Sequence, residues 1–300
     1  YDAQIAASGI TPVFDSLRIG VEEHEEKSAM GNKTEMLADE IARNAAAGHL
    51  RADHLTHIRC EVPSPGVVEA LEGFLSSRTV QLISLMDHTP GKRQFRDIDK
   101  YFIYYGGKSG KQPHEIEAIV ARRQTIGVAR AAVNRPQVVE IARRHAVPLA
   151  SHDDTTLDDV RQSIEEGVSI AEFPTTMESA AASRQAGLAT VLGAPNVVRG
   201  GSHSGNVAAR ELAENGLLDI LSSDYVPASL LLGALALEDT AGIGGLPGAL
   251  RLVSRNPAAA AGLTDRGEIT VGKRADLIRV RRDQHKVVVR EVYRQGERVA

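Results

Sequence analysis

The chain has one cysteine, Cys60, among 300 residues, which excludes an intramolecular disulfide and suits a reducing, cytoplasmic setting. It has no apolar run near the roughly 20 residues that cross a bilayer, and no signal-peptide pattern at its start. No membrane partner is expected. It also lacks an excess of basic charge: 35 Lys and Arg stand against 39 Asp and Glu, for a net charge of -4. That balance excludes a general nucleic-acid footprint, so any polyanion must meet a local cluster of cations.

What is present describes an ordinary globular protein, 42% hydrophobic and 25% charged, long enough for one large α/β domain and a small appendage. Tyr1-Asp2-Ala3-Gln4 has no initiator Met and reads as the middle of a helix. Residues 10–14 then read as a buried strand ending in Asp15, Glu22 to Lys27 as a solvated charge run, and residues 33–48 as a helix closed by glycine. This strand-then-helix order continues along the chain and argues for a parallel sheet.

Over Leu55 to Val62, alternation puts His57, Arg59 and Glu61 on one strand face and Ile58, Cys60 and Val62 on the other. Three ionisable groups on one face are either the exposed side of an edge strand or groups that need partners or a metal. Inside a barrel, Glu61 is a metal-ligand candidate, Arg59 its charge partner or an anion contact, and Cys60 packing. The strand Val80 to Met86 runs into Asp87 and His88, then Thr89-Pro90-Gly91, Lys92 and Arg93. Two cations beside a strand-end histidine suit an anionic substrate; the alternative is ordinary surface charge. Residues 97–133 read as a long polar helical insertion with Tyr101, Tyr104 and Tyr105, a lid, a dimer contact or local packing.

Arg135-Pro136 are expected to start a helix leading to the strand VPLAS and His152-Asp153-Asp154. A lone strand-end histidine is commonly a packed core residue. Three consecutive ionisable residues favour His152 as a metal ligand, with a neighbouring carboxylate fixing its tautomer and at least one of the two aspartates capping the next helix. After the strand SIAEF and Glu172, a Pro-Asn loop leads to Arg199, Gly200, Gly201, Ser202, His203 and Ser204, where side chains and glycine amides could cradle phosphate oxygens. Asn206 is the expected cap of the helix over residues 207–215, and Asp224 follows the strand LLDILSSD. Past Leu263, the stretches RGEI, GKRADLI, Val287 to Val289 and Val292 to Gly296 read as short strands.

Six segments, HIRCEVP (57–63), SLMDHTPGKRQF (84–95), LASHDDTT (149–156), AEFPTT (171–176), PNVVRGGSHSGN (195–206) and LSSDYVPASLL (221–231), together resemble the amidohydrolase superfamily, in its branch of triphosphate diphosphatases of phosphonate utilisation. The resemblance implies an α/β fold, a TIM-like (β/α) barrel over residues 1–262 that lacks its first strand. Residues 263–300 would be the C-terminal part of a small β-sandwich domain, and a strand with a His-x-Asp or His-x-His metal pair would precede Tyr1. It implies a divalent metal, zinc, held by His152, Glu61 and Asp224, with Asp224 also taking the proton of the attacking water. The implied substrate is a polyphosphorylated ribose, α-D-ribose 1-methylphosphonate 5-triphosphate, cleaved to the 5-phosphate and pyrophosphate. Arg59, His88, Lys92, Arg93, Arg199, Gly200, Gly201, Ser202, His203 and Ser204 are its expected contacts. A homo-oligomer is expected by the same analogy. Relatives often carry His where this chain has Glu172, so that residue is either a replacement ligand or a group holding an arginine. The rival readings are a C–N hydrolase of the same superfamily, a deaminase or cyclic amidase, and a non-catalytic assembly subunit.

Overall fold

The computed structural model describes residues 1–20, 33–93, 113–202, 205–283 and 286–300. The charge run at Glu22, the three tyrosines before Gly106, His203 and Ser204 lie outside the described residues. The strands are β1 (Pro12–Ile19), β2 (Asp53–Glu61), β3 (Leu82–Met86), β4 (Leu149–His152), β5 (Ile170–Glu172), β6 (Ala189–Gly193), β7 (Ile220–Ser222), β8 (Leu277–Asp283), β9 (Lys286–Arg294) and β10 (Glu297–Arg298). The chain forms two compact units, the first of residues 16–38 and 56–182, the second of residues 1–15, 39–55 and 183–300.

In the first unit β2, β3, β4 and β5 pair in parallel and in chain order. The register sets Glu61 opposite Met86 and His152 opposite Glu172, so strand ends from four successive strands fall along one rim. All five residues of β3 are buried, the continuous pattern of a parallel strand covered on both faces. The expected alternation in β2 is observed: Ile58, Cys60 and Val62 are fully buried, as are Leu71 from helix Val67–Leu75 and Val138 from helix Val128–Arg144. Each such side chain contributes about 1.5–3 kcal/mol. Burial and the nearby Glu61 raise the Cys60 thiol, which keeps it protonated and inert.

The opposite face of the same strands is buried too, and it is polar. Ser84 donates from Oγ to Glu172 Oε2 at 2.6 Å, and its oxygen lies 2.5 Å from His57 Nε2. Ser84 has one proton to give, so His57 Nε2–H donates to Ser84 Oγ, and His57 Nδ1 accepts from Ser16 Oγ at 3.1 Å. Burial lowers the His57 pKa to about 4; Glu172 opposes that, and Arg59 and His152 add to it. The ring is therefore neutral, as this bonding order requires.

Two local expectations change here. Pro136 lies inside helix Val128–Arg144 instead of starting it. The helical segment runs on from Pro113–Arg122 and a five-residue π turn, Arg123–Gly127, so Pro136 falls in its interior, where it forgoes one backbone hydrogen bond. The following helix, Leu157–Glu165, is capped by Thr156 in a reciprocal box with Asp159, not by Asp153 or Asp154. Asp154 is already engaged: its carboxylate takes Arg93 and, at 3.0 Å, the Ser163 hydroxyl.

In the second unit β6 and β7 pair in parallel, and β8, β9 and β10 form an antiparallel sheet. Ile5, Ile10, Val13 and Ala52 form a buried cluster with Leu230 against it. The expected Pro-Asn loop is a short helix, Ala194–Arg199, with proline near its start where a missing N–H costs nothing. Asn206 does not cap the next helix, Ala209–Glu214; Asn196 Oδ1 accepts the Ala209 amide at 3.0 Å. The first tail strand starts at Leu277, because residues 265–276 are held by ion pairs and not by a ladder. Asp53 takes Arg274 at 2.6 Å and Arg266 at 2.8 Å, and Lys273 pairs with Glu268 at 2.9 Å. Among the described residues, no helix is long and apolar enough to cross a membrane.

Candidate functional site

The rim of the first unit gathers two imidazoles and a carboxylate. His88 follows β3, His152 ends β4 and Asp153 follows it, and one ligand atom from each lies within 4.8 Å of the other two. Asp153 Oδ2 is 2.7 Å from His152 Nδ1 and 3.9 Å from His88 Nε2. The rings of His88 and His152 meet edge to face, 5.9 Å between centroids. Asp153 reaches this position through a left-handed backbone, φ 58°, as does Phe173 at φ 54°, whose ring packs 5.2 Å from His152. Such conformations are unfavourable for a residue with a side chain and concentrate where a site requires them.

Glu61 holds His88 from the side away from Asp153. One carboxylate oxygen accepts the His88 amide at 3.0 Å and the other is 2.6 Å from His88 Nδ1, with Arg18 at 3.5 Å. This fixes the proton on Nδ1 and turns Nε2 toward Asp153. Burial would raise the Glu61 carboxyl, but the charge and hydrogen bonds of His88 and the charge of Arg18 carry it down to about 2. Burial would lower His88, and Glu61 and then Asp153 outweigh it, so His88 is raised. Asp153 follows the Glu61 pattern, pushed up by burial and brought below the usual carboxylate range by His152, His88 and Arg93. Two carboxylates thus stay ionised at full burial beside imidazole nitrogens. That donor set fits a divalent cation.

Residues 115–300 match the amidohydrolase family. The chain belongs to the amidohydrolase family. It is similar to the alpha-D-ribose 1-methylphosphonate 5-triphosphate diphosphatase of Escherichia coli (strain K12), 44% identical over 300 residues, which is 100% of this chain and 79% of that protein. Among solved structures it resembles 5-methylcytosine deaminase from Klebsiella pneumoniae, with a TM-score of 0.62 and 14% identity, covering 100% of this chain and 73% of that one. The fold is therefore α/β, a TIM-like (β/α) barrel of the amidohydrolase type with a small antiparallel sheet, and the amidohydrolase is a hydrolase.

In this amidohydrolase the expected residues separate by role. His152 and His88 join one donor group; His88, expected as a substrate contact, stands where a ligand would. Glu61, expected as a ligand, lies outside that group, with both oxygens on His88. Glu172 also lies outside it and accepts from Ser84. Arg59 reaches the site, 3.1 Å from His152 Nε2, with its Nε donating to the Met86 sulfur. Lys92 is half-exposed, 3.9 Å from Asp87. Arg93 turns inward: it is 6% exposed and donates to the His152 carbonyl at 3.0 Å and to Asp154.

The second unit carries the remaining expected residues. Asp224 follows β7, exposed and in a left-handed conformation at φ 50°. Arg199 is exposed at the end of its helix, with Ser202 part-buried. The expected cradle of glycine amides is corrected: Gly200 N donates to the Asn196 and Val197 carbonyls, and Gly201 N to Asn196 at 2.9 Å. Both amides close a helix C-terminus, whose partial negative charge disfavours an anion.

Sequence reasoning missed Asp153 as a donor and a cavity of about 350 Å³ beside Glu61 and His88, lined by Arg122, Arg123 and Arg130. The signal for the arginines was the basic run Arg122-Arg123 in a segment read as a lid, a dimer contact or local packing.

Proposed function

We propose that this amidohydrolase is a metal-dependent hydrolase of a phosphoanhydride, releasing pyrophosphate from α-D-ribose 1-methylphosphonate 5-triphosphate in phosphonate breakdown. The observation that carries the metal dependence is the group of part-buried His88 with buried His152 and Asp153. The whole-chain identity of 44% to a protein of that name supports the substrate. His88, His152 and Asp153 would hold the divalent cation, and Glu61 orients His88 for it. When bound, the cation supplies Lewis-acid polarisation and a more acidic water. Asp224 is assigned the proton of the attacking water at its carboxylate, to be returned to the leaving group. Arg59, Lys92 and Arg199 carry the positive charge that a polyphosphate requires.

The test is pyrophosphate release from the ribose 5-triphosphate by the metal-loaded full chain, beside Asp224→Asn and a chelated sample. Release by the wild type that is lost in both controls is expected. No release by protein that still binds metal would overturn the phosphoanhydride reading and turn attention to amide and deamination substrates.

A further inference from the structure

We infer that the cavity between the loops after β2 and β3 and residues 119–130 is a subsite for a phosphate chain of the pyrophosphate or triphosphate class; this rests on the hydrolase reading above and gives it a place for the charged tail. Three observations carry it. Arg122, Arg123 and Arg130 line one wall of the cavity, whose volume of about 350 Å³ lies within the ~300–1,000 Å³ of small-molecule sites. Guanidinium is the side chain whose planar fork matches phosphate oxygens two at a time.

The second observation is a pair of hydroxyls. Ser64 and Thr89 are each 2% exposed, and neither hydroxyl has a hydrogen-bond partner among the described residues. Both line this cavity. Buried hydroxyls are normally bonded, and an unmade bond is unfavourable. Phosphate oxygens accept from O–H and from N–H, so one ligand chemistry serves the hydroxyls and the guanidinium groups alike.

The third is the backbone that presents the arginines. The segment Arg123–Gly127 is a π turn set between two α-helices. Such turns are frequent at functional sites. Arg123 opens this one and Arg130 follows it, and both line the cavity. Arg123 also feels its neighbours: burial first, then the charge of Arg18, lower it to about 10. It remains cationic at neutral pH. The cavity reaches Glu61 and His88 at the rim, and Ile119 and Ile126 add apolar surface to its lining.

The experiment is calorimetric titration of the metal-loaded full chain with inorganic pyrophosphate and with tripolyphosphate, paired with KM and kcat on the ribose 5-triphosphate. Arg123→Ala and Arg130→Ala are each expected to weaken pyrophosphate binding at least tenfold and to raise KM more than they lower kcat. Arg123→Lys, which keeps charge and bulk, should lose less than Arg123→Ala. Arg143→Ala, an exposed residue of the same helical segment paired with Glu140, should bind as the wild type does. Ser64→Ala guards against misfolding as the explanation: it removes an unpartnered hydroxyl, so it should bind pyrophosphate more weakly while melting no lower than the wild type. Wild-type protein that binds neither anion, or arginine variants that bind as it does, would overturn the subsite. If those variants bind normally while triphosphate is hydrolysed, the subsite fails and the hydrolase stands. If binding depends on the arginines but no triphosphate is cleaved, the subsite stands and the hydrolase reading fails.

Discussion

Replacing Arg93 by methionine is expected to destabilise the fold, whatever it does to substrate binding. Its guanidinium is 6% exposed and bonded to the His152 carbonyl at 3.0 Å and to Asp154, with Asp159 at 3.7 Å. Burial works against the Arg93 charge, and Asp154, Asp159 and Asp87 outweigh it. Asp154 is 1% exposed, and beyond Arg93 its carboxylate keeps, among the described residues, only the Ser163 hydroxyl at 3.0 Å. Methionine fills similar space but leaves that carboxylate without a counter-charge. Breaking a buried pair from one side costs about 3–5 kcal/mol. At roughly 2–4 °C per kcal/mol for a large domain, the melting temperature falls by about 6–20 °C. The double variant Arg93→Met with Asp154→Leu removes both charges, and an apolar replacement of a buried pair is often neutral, so most of the loss should return. Thermal and denaturant unfolding of wild type, both single variants and the double variant measures this. A single variant within about 1 kcal/mol of wild type, or a double variant no better than Arg93→Met, would refute the reasoning.

Two further outcomes follow from local geometry. Gly20 has φ +91°, and a Cβ there would sit 2.9 Å from the Glu61 carbonyl oxygen and 3.0 Å from Ser64 Cβ. Gly20→Ala should therefore cost more than the roughly 1 kcal/mol of a simple glycine exchange, and an unchanged denaturation midpoint would contradict that. His54 lies 2.8 Å from Asp15 and 3.3 Å from Asp2; burial would lower its pKa, but these carboxylates raise it above 6.5. Its stabilisation is then complete below about pH 6.5 and lost as pH rises through the folded value, so wild-type stability should fall more steeply over that window than that of His54→Gln. Parallel slopes would dismiss the linkage.

The strand ends were legible because a two-residue period in β2 and a continuous apolar run in β3 can be read from residue types alone. Both place ionisable residues directly after buried strands. Which carboxylate serves which histidine was not legible. Glu61, expected as a ligand, bonds with both oxygens to His88, which follows a different strand 27 residues on. The helix cap at Thr156 was missed for a related reason: Asp154, a competent cap in sequence, is claimed by Arg93 from 61 residues away. Arg122, Arg123 and Arg130 escaped because a π turn shifts the helical phase between them, and no side-chain periodicity announces one. The glycines at 200 and 201 were readable as a turn, but whether their amides face a ligand or a helix end depends on the short helix before them.

The most direct test of the account is the metal content of the purified full chain, measured per chain for wild type, His88→Ala, His152→Ala and Asp153→Ala after equal exposure to a divalent cation and desalting. The account predicts that the wild type retains cation and that each substitution removes it or weakens retention severely. Equal retention by all four proteins would contradict the assignment of His88, His152 and Asp153 as the metal-holding group, and with it the mechanism proposed for this amidohydrolase.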